Sequence, residues 1–160
     1  MSRDLFSPDV IAYLHAHATG IDEVQQSLID RTAELGPWAH MQIGTNQGVF
    51  LEILVGAIQP TLAVEIGTFT GYSALSIARA LPDRGRLMCC DINDEWTAIG
   101  REHWERAGVA DRIDLRIAPA TATLAALPED TTTDLASFDA DKTGYLDYFA
   151  ATHPRLSERA

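Results

Sequence analysis

From Thr61 onward the chain alternates short apolar runs with windows of helical spacing, and this alternation narrows its fold more than any other feature. The apolar runs 62–66, 86–90, 113–117 and 134–138 read as strands. The windows 73–81, 94–107, 121–127 and 142–156 read as helices. A strand that hands over to a helix returns to the sheet alongside its predecessor, so the order predicts a parallel α/β sheet with right-handed crossovers. In the first of these helices Ala74, Leu75, Ala78 and Leu81 share one face and Pro82 stops the run, which sets that face against the sheet.

Before Thr61 the spacing is helical throughout. Ser7 suits a cap and Pro8 the first helical position, with Val10, Ile11 and Leu14 on one stripe and an end near Gly20. A second helix over 22–35 runs through Val24, Leu28, Ile29 and Thr32 to a stop at Gly36-Pro37. A third opens at Thr45 or Asn46 and ends before Gln59-Pro60. The organisation expected is one domain over 1–160, with a helical region over 1–60 and a partial parallel sheet over 61–160. The stretch 128–133 reads as a surface loop.

A chain of 160 residues, 46% hydrophobic and 22% charged, has the composition of one globular domain, which excludes disordered and fibrous classes. Twelve Lys and Arg stand against 23 Asp and Glu, for a net charge of −11, so nucleic acid and anionic membrane are poor partners. The most apolar stretch, 49–58, carries Glu52 and is far short of the ~20 residues that span a bilayer. Met1-Ser2-Arg3-Asp4-Leu5 leads into no continuous apolar run, and a cytoplasmic location is expected. Cys89 and Cys90 are neighbours that a strand turns to opposite faces, which fits free thiols in a reducing compartment.

Three groups carry chemistry. Ala63-Val64-Glu65-Ile66 runs into Gly67-Thr68-Phe69-Thr70-Gly71, where glycines four apart permit a tight turn and close approach to a ligand. Phe69 stands where a dinucleotide fingerprint needs its second glycine, so a ligand without a pyrophosphate is favoured over a nicotinamide dinucleotide. Asp91 follows Gly67 by 24 positions at the end of the next strand, close to the ~20-residue offset at which an acid reaches ribose hydroxyls. The plainer alternatives are an ordinary βα turn and a solvated or capping carboxylate. The third group, Asp139-Ala140-Asp141-Lys142, lies at the end of the fourth strand. Its carboxylates suit a hard cation such as Mg²⁺ and its lysine a proton acceptor, against the plainer reading of an acidic helix start. His15 and His17, two apart on a helix, make a poor metal pair; His40, His103 and His153 read as surface or packing residues, as do Trp96 and Trp104.

Taken together the chain resembles the cation-dependent, S-adenosylmethionine-dependent O-methyltransferases, the family of caffeoyl-CoA and catechol O-methyltransferases. The resemblance runs through Met41-Gln42-Ile43 with Gln47-Gly48, the 64–73 block, Cys90-Asp91, Ala107-Gly108-Val109-Ala110, Pro119-Ala120 and the 139–145 block. It implies a Rossmann-like class I methyltransferase sheet with a helical N-terminal preface. It further implies that Ile43 touches the methionine part of the cofactor, that Glu65, Gly67 and Thr68 line its amino-acid and ribose side, and that Ser73 binds its carboxylate. Asp91 would take the ribose hydroxyls, Ala120 would sit beside the adenine and Asp141 would contact the cofactor. Asp139 would ligate a divalent cation and Lys142 would act as general base on a small hydroxylated aromatic or CoA-ester substrate, within a homodimer.

Two departures accompany the resemblance. Ser137 stands in the fourth strand where the family has a large apolar residue. The family's fifth strand and its Asp-Asn pair, which complete the metal site, would follow Ala160, so the sheet expected here is C-terminally shortened. The alternative function is a non-catalytic S-adenosylmethionine-binding or assembly module.

Overall fold

A computed structural model of the chain describes residues 7–158, apart from the side chain of His15. Met1-Ser2-Arg3-Asp4-Leu5 and half of the His15/His17 pair therefore lie outside the described residues.

The four apolar runs form strands β1 (Leu62–Ile66), β2 (Arg86–Asp91), β3 (Ile113–Ile117) and β4 (Leu135–Phe138). All pairings are parallel and the order is β3-β2-β1-β4. In register, Ile66 faces Cys90 on one side and Phe138 on the other, so β1, β2 and β4 end level. The ladder continues one residue beyond them: the Gly67 amide donates to the Cys90 carbonyl and the Asp139 amide to the Ile66 carbonyl, both at 2.9 Å. Gly67, Asp91 and Asp139 are thereby delivered to a single edge of the sheet.

Helices cover both faces, as a parallel sheet requires. Before the sheet come α1 (Pro8–His17), α2 (Glu23–Ala33) and α3 (Thr45–Ile58); between the strands come α4 (Tyr72–Ala80), α5 (Asp94–Arg106) and α6 (Ala120–Ala125); α7 (Tyr145–Thr152) follows β4. The two cysteines mark the division. Cys89 is buried with Leu28, Val55, Leu75, Leu87 and Trp104 on one face, and Cys90 with Val64, Ile66, Met88 and Leu124 on the other. Both thiols are free. Burying side chains of this size contributes ~1.5–3 kcal/mol each.

Local signals set the helix ends. The Ser7 hydroxyl accepts the Val10 amide ahead of Pro8, and Asp22 forms a reciprocal capping box with Gln25. Arg79 of α4 reaches the same Asp22 carboxylate at 2.6 Å and ties α2 to α4. At Gly48 a Cβ would come within 2.9 Å of Tyr72 and Ser76, so glycine there sets how closely α3 lies on α4.

Two expectations need correction. The window 142–156 is not one helix: α7 is flanked by 3-10 turns at Lys142–Gly144 and His153–Arg155. Asp141 caps the first turn by accepting the Gly144 amide, and Pro154, with no amide hydrogen, prevents continuation at the far end. Gly36-Pro37 does end α2, but it also opens a 3-10 turn, Gly36–Met41, that leads to α3. Ser137 is half-buried opposite Glu65. No described helix is long and apolar enough to cross a membrane.

Candidate cofactor site

The loop that leaves β1 has an unusual backbone. Gly67, Phe69 and Gly71 all take positive φ, at 92°, 51° and 81°. A Cβ on Gly67 would lie 2.4 Å from the Asp139 carbonyl oxygen, and one on Gly71 would lie 2.5 Å from the Trp104 indole. Both glycines are thus required by conformation and by space. Trp104 is buried in the core and its indole N–H donates to the Gly71 carbonyl at 3.0 Å, so α5 fixes the far end of the loop.

Asp91 fixes the near end. Its Oδ2 accepts the Thr68 and Phe69 amides at 2.9 and 2.8 Å, and its Oδ1 accepts the Asn93 amide at 2.8 Å. Asn93 in turn caps α5 by accepting the Trp96 amide. The strand-end acid therefore organises the loop and the start of α5 as one unit. Beside it Ile92 is 77% exposed, an apolar side chain held at the same edge.

Glu65 is buried at the end of β1, where desolvation pushes its carboxyl up to about 7 against the lowering influence of Ser73, Cys89 and Thr68. Its Oε2 accepts the Cys89 thiol at 3.5 Å, while its Oε1 has no hydrogen-bond partner. Burial drives the Cys89 thiol well up and the Cys90 thiol up to about 11, so both stay protonated. Thr68 Oγ1 and Gln42 Oε1 are also buried without a partner. Buried polar atoms are ordinarily paired, and unpaired ones at a strand-end loop are what a polar ligand satisfies. Donors on a ligand's amino-acid part fit Glu65, so this residue suits the group that the resemblance implies.

The third sequence group behaves differently. Asp139 is exposed, with its backbone packed on Gly67. Asp141 accepts from the Tyr148 hydroxyl, the Thr143 hydroxyl and the Gly144 amide, which hold its carboxyl below the usual range and push Tyr148 up to about 12. Lys142 is exposed, with Nζ 3.4 Å from the Tyr145 hydroxyl and 5.1 Å from its ring centroid. Among the described residues no group of three or more His, Cys, Asp or Glu is arranged to hold a metal ion. The residues present do not fit a divalent cation, and no step is assigned to one.

The remaining residues are dispersed around the edge. Ser73 lies in the first turn of α4 near Glu65, and Ala120 is buried where α6 opens after β3. Ile43 is half-buried against the core that contains Leu28 and Leu75. Three of the described histidine side chains hydrogen-bond within the fold, His103 with Ser27 and the Ile99 carbonyl, His40 with the Pro37 carbonyl, and His17 with the Tyr13 carbonyl, and His153 lies against the Phe149 ring. A polar cleft of about 450 Å³ between α2 and α5, lined by Glu23, Asp30, Glu102 and His103, does not include the strand-end residues. The sequence reading gives no role to Gln42, Ile92 or the contact of Trp104 with the loop. Gln42 and Ile92 are polar or apolar neighbours of residues already singled out, the only signal they carry; Trp104 contacts the loop from 33 residues away.

Parallel strands in this order, with a glycine loop at the end of β1 and an acid at the end of β2, make a Rossmann-like α/β sheet, and the solved structures that share it with this chain are of the methyltransferase class. Within it, the chain belongs to the O-methyltransferase family, whose model matches residues 16–156. It is 39% identical to caffeoyl-CoA O-methyltransferase 1 of Eucalyptus globulus, an alignment covering 98% of this chain and 64% of that protein. To the caffeoyl-CoA O-methyltransferase of Petroselinum crispum it is 40% identical, over 84% and 55% of the two chains. The chain spans less than two thirds of the length of these curated relatives. Among solved structures it is similar to an SAH-bound methyltransferase of Podospora anserina, with TM-score 0.86, 27% identity and coverage of 100% and 70%. It is likewise similar to an O-methyltransferase of Bacillus cereus in complex with SAH, with TM-score 0.85, 27% identity and coverage of 93% and 68%.

Proposed function

We propose that this chain carries the S-adenosylmethionine-binding part of an O-methyltransferase that acts on a hydroxyl of a small aromatic, catechol-like or CoA-ester substrate. The observation that carries the proposal is the pair of unpartnered buried atoms, Glu65 Oε1 and Thr68 Oγ1, beside the Gly67–Gly71 loop and Asp91. Relatives named caffeoyl-CoA O-methyltransferases support the substrate class. A cytoplasmic location is part of the proposal and is supported by the free Cys89 and Cys90 thiols.

When bound, S-adenosylmethionine supplies an electrophilic methyl carbon on a sulfonium. Glu65 and Gln42 accept hydrogen bonds from the amino-acid part, Ser73 donates to its carboxylate, and Asp91 accepts from a ribose hydroxyl through the one lone pair of Oδ1 that the Thr68, Phe69 and Asn93 amides leave free. Ile43, Ile92 and Ala120 supply apolar contacts. In its neutral amine form Lys142 Nζ takes the substrate hydroxyl proton, and the ammonium so formed stays beside the oxygen nucleophile.

Titration calorimetry tests the first half. Saturable binding of S-adenosylmethionine to the chain, reduced at least tenfold in Asp91→Ala, is the expected result; a folded chain that binds none refutes it. Turnover of a catechol with Mg²⁺ tests the second half. The alternative, a binding or assembly module, would bind the cofactor and transfer no methyl.

A further inference from the structure

We propose that Trp38, Trp96 and Phe69 form an aromatic latch that holds the β1 exit loop in its ligand-ready backbone geometry, with Trp96 as a positioning residue. Three separate elements meet at this cluster. Phe69 lies in the loop, Trp96 in the first turn of α5, and Trp38 in the 3-10 turn Gly36–Met41. The Phe69 and Trp96 rings meet edge to face, with centroids 5.2 Å apart and planes at 79°; Trp38 follows at 5.8 Å from Trp96.

Phe69 is what makes the contact more than packing. At φ 51° it takes the left-handed conformation flanked by two glycines that adopt positive φ freely, and a side chain with a Cβ is disfavoured there. Its amide and that of Thr68 are the two that Asp91 Oδ2 accepts, so relaxing Phe69 toward negative φ swings its ring and the chain beyond it relative to those held donors and loads the two hydrogen bonds. Edge-to-face aromatic pairs contribute favourably beyond their buried area, and this one acts only while Phe69 stays left-handed. Trp38 extends the same contact to the segment that carries Gln42 and Ile43. The latch thus joins the two ends of the site, the ribose side at Asp91 and the amino-acid side at Gln42. For its consequence on ligand affinity the inference rests on the cofactor reading; its structural content does not.

Hydrogen exchange of the ligand-free chain is therefore the first test. Trp96→Ala is expected to speed exchange of the Thr68 and Phe69 amides by up to about tenfold, with amides inside β1 and β2 unchanged. Trp96→Phe restores most of the protection. In a Phe69→Gly background, where the left-handed conformation is no longer disfavoured and the ring is absent, Trp96→Ala has no additional effect on either amide. If Trp96→Ala loosens the entire sheet, Trp38→Ala carries the test, since that ring is 54% exposed and its loss leaves the core intact. It is expected to speed the same two amides about threefold. Unchanged exchange at Thr68 and Phe69, or equal sensitivity to Trp96→Ala with and without Phe69, overturns the latch. S-adenosylmethionine affinity in the same variants should fall in parallel. A wild-type chain that binds none, yet shows the exchange pattern, refutes the cofactor reading and leaves the latch standing.

Discussion

At the scale of single residues, Glu65 carries a pH dependence whose sign can be worked out. Burial raises its carboxyl from 4.5 to about 7. Between those values the folded chain keeps a proton that the unfolded chain has released, so stability falls as pH rises through that window and levels off above it. The shift corresponds to a loss of roughly 3 kcal/mol. Urea unfolding at pH 5 and pH 8 should therefore show a decline that Glu65→Gln removes; an unaltered decline in that variant would place its origin elsewhere. Asp91 bears on stability through its hydrogen bonds, because its two carboxylate oxygens accept three backbone amides. Asp91→Ala leaves those amides without acceptors and should cost ~2–3 kcal/mol. Asp91→Asn should recover only part, since its NH₂ faces donors. Chemical denaturation of the two variants checks both values, and an Asp91→Ala chain as stable as wild type would contradict the hydrogen-bond assignment.

At the scale of elements, the β1 exit loop is the most exacting piece of the fold. Gly67→Ala would force a Cβ to 2.4 Å from the Asp139 carbonyl at a φ of 92°, so it should cost at least ~2 kcal/mol and separate β1 from β4 at their shared end. Thermal unfolding measures the loss, and a neutral substitution would mean that the loop relaxes freely. This loop was legible in the sequence because glycine spacing and the preceding apolar run are local signals. Strand positions were legible for the same reason, as was the Ser7 cap. Other features depend on contacts between distant residues and left no such trace. Nothing about Trp104 announces that its indole meets Gly71, and nothing about Phe69 announces a left-handed backbone. The strand-end position of Asp91 suggested a ligand role, but its grip on two loop amides exists only once the loop has folded back. Pro154 could have been read as a break in the 142–156 window; the apolar spacing through Tyr145, Tyr148 and Phe149 hid it.

At the scale of the molecule, charge and exposed apolar surface oppose each other. A net charge of −11 on 160 residues repels a second copy. Yet β4 lies at one edge of the described sheet, and α7 packs Tyr148 on Phe138 of that strand while Leu146 and Phe149 remain 83% and 53% exposed. An exposed apolar helix face is the kind of surface that pairs with another chain. We propose homodimerisation through the exposed Leu146 and Phe149 side chains of α7. Its salt dependence follows from the two opposing terms: a Debye length of about 10 Å at 0.1 M shrinks with added salt, which screens the repulsion and leaves the apolar attraction intact. Sedimentation velocity should accordingly show more dimer as NaCl rises from ~20 mM to ~0.5 M. The double variant Leu146→Glu with Phe149→Glu should remain monomeric across that range, because it adds charge to the apolar face itself. Dimer that dissolves with salt would mean that ion pairs hold the copies together, and dimer that persists in the double variant would move the interface away from α7.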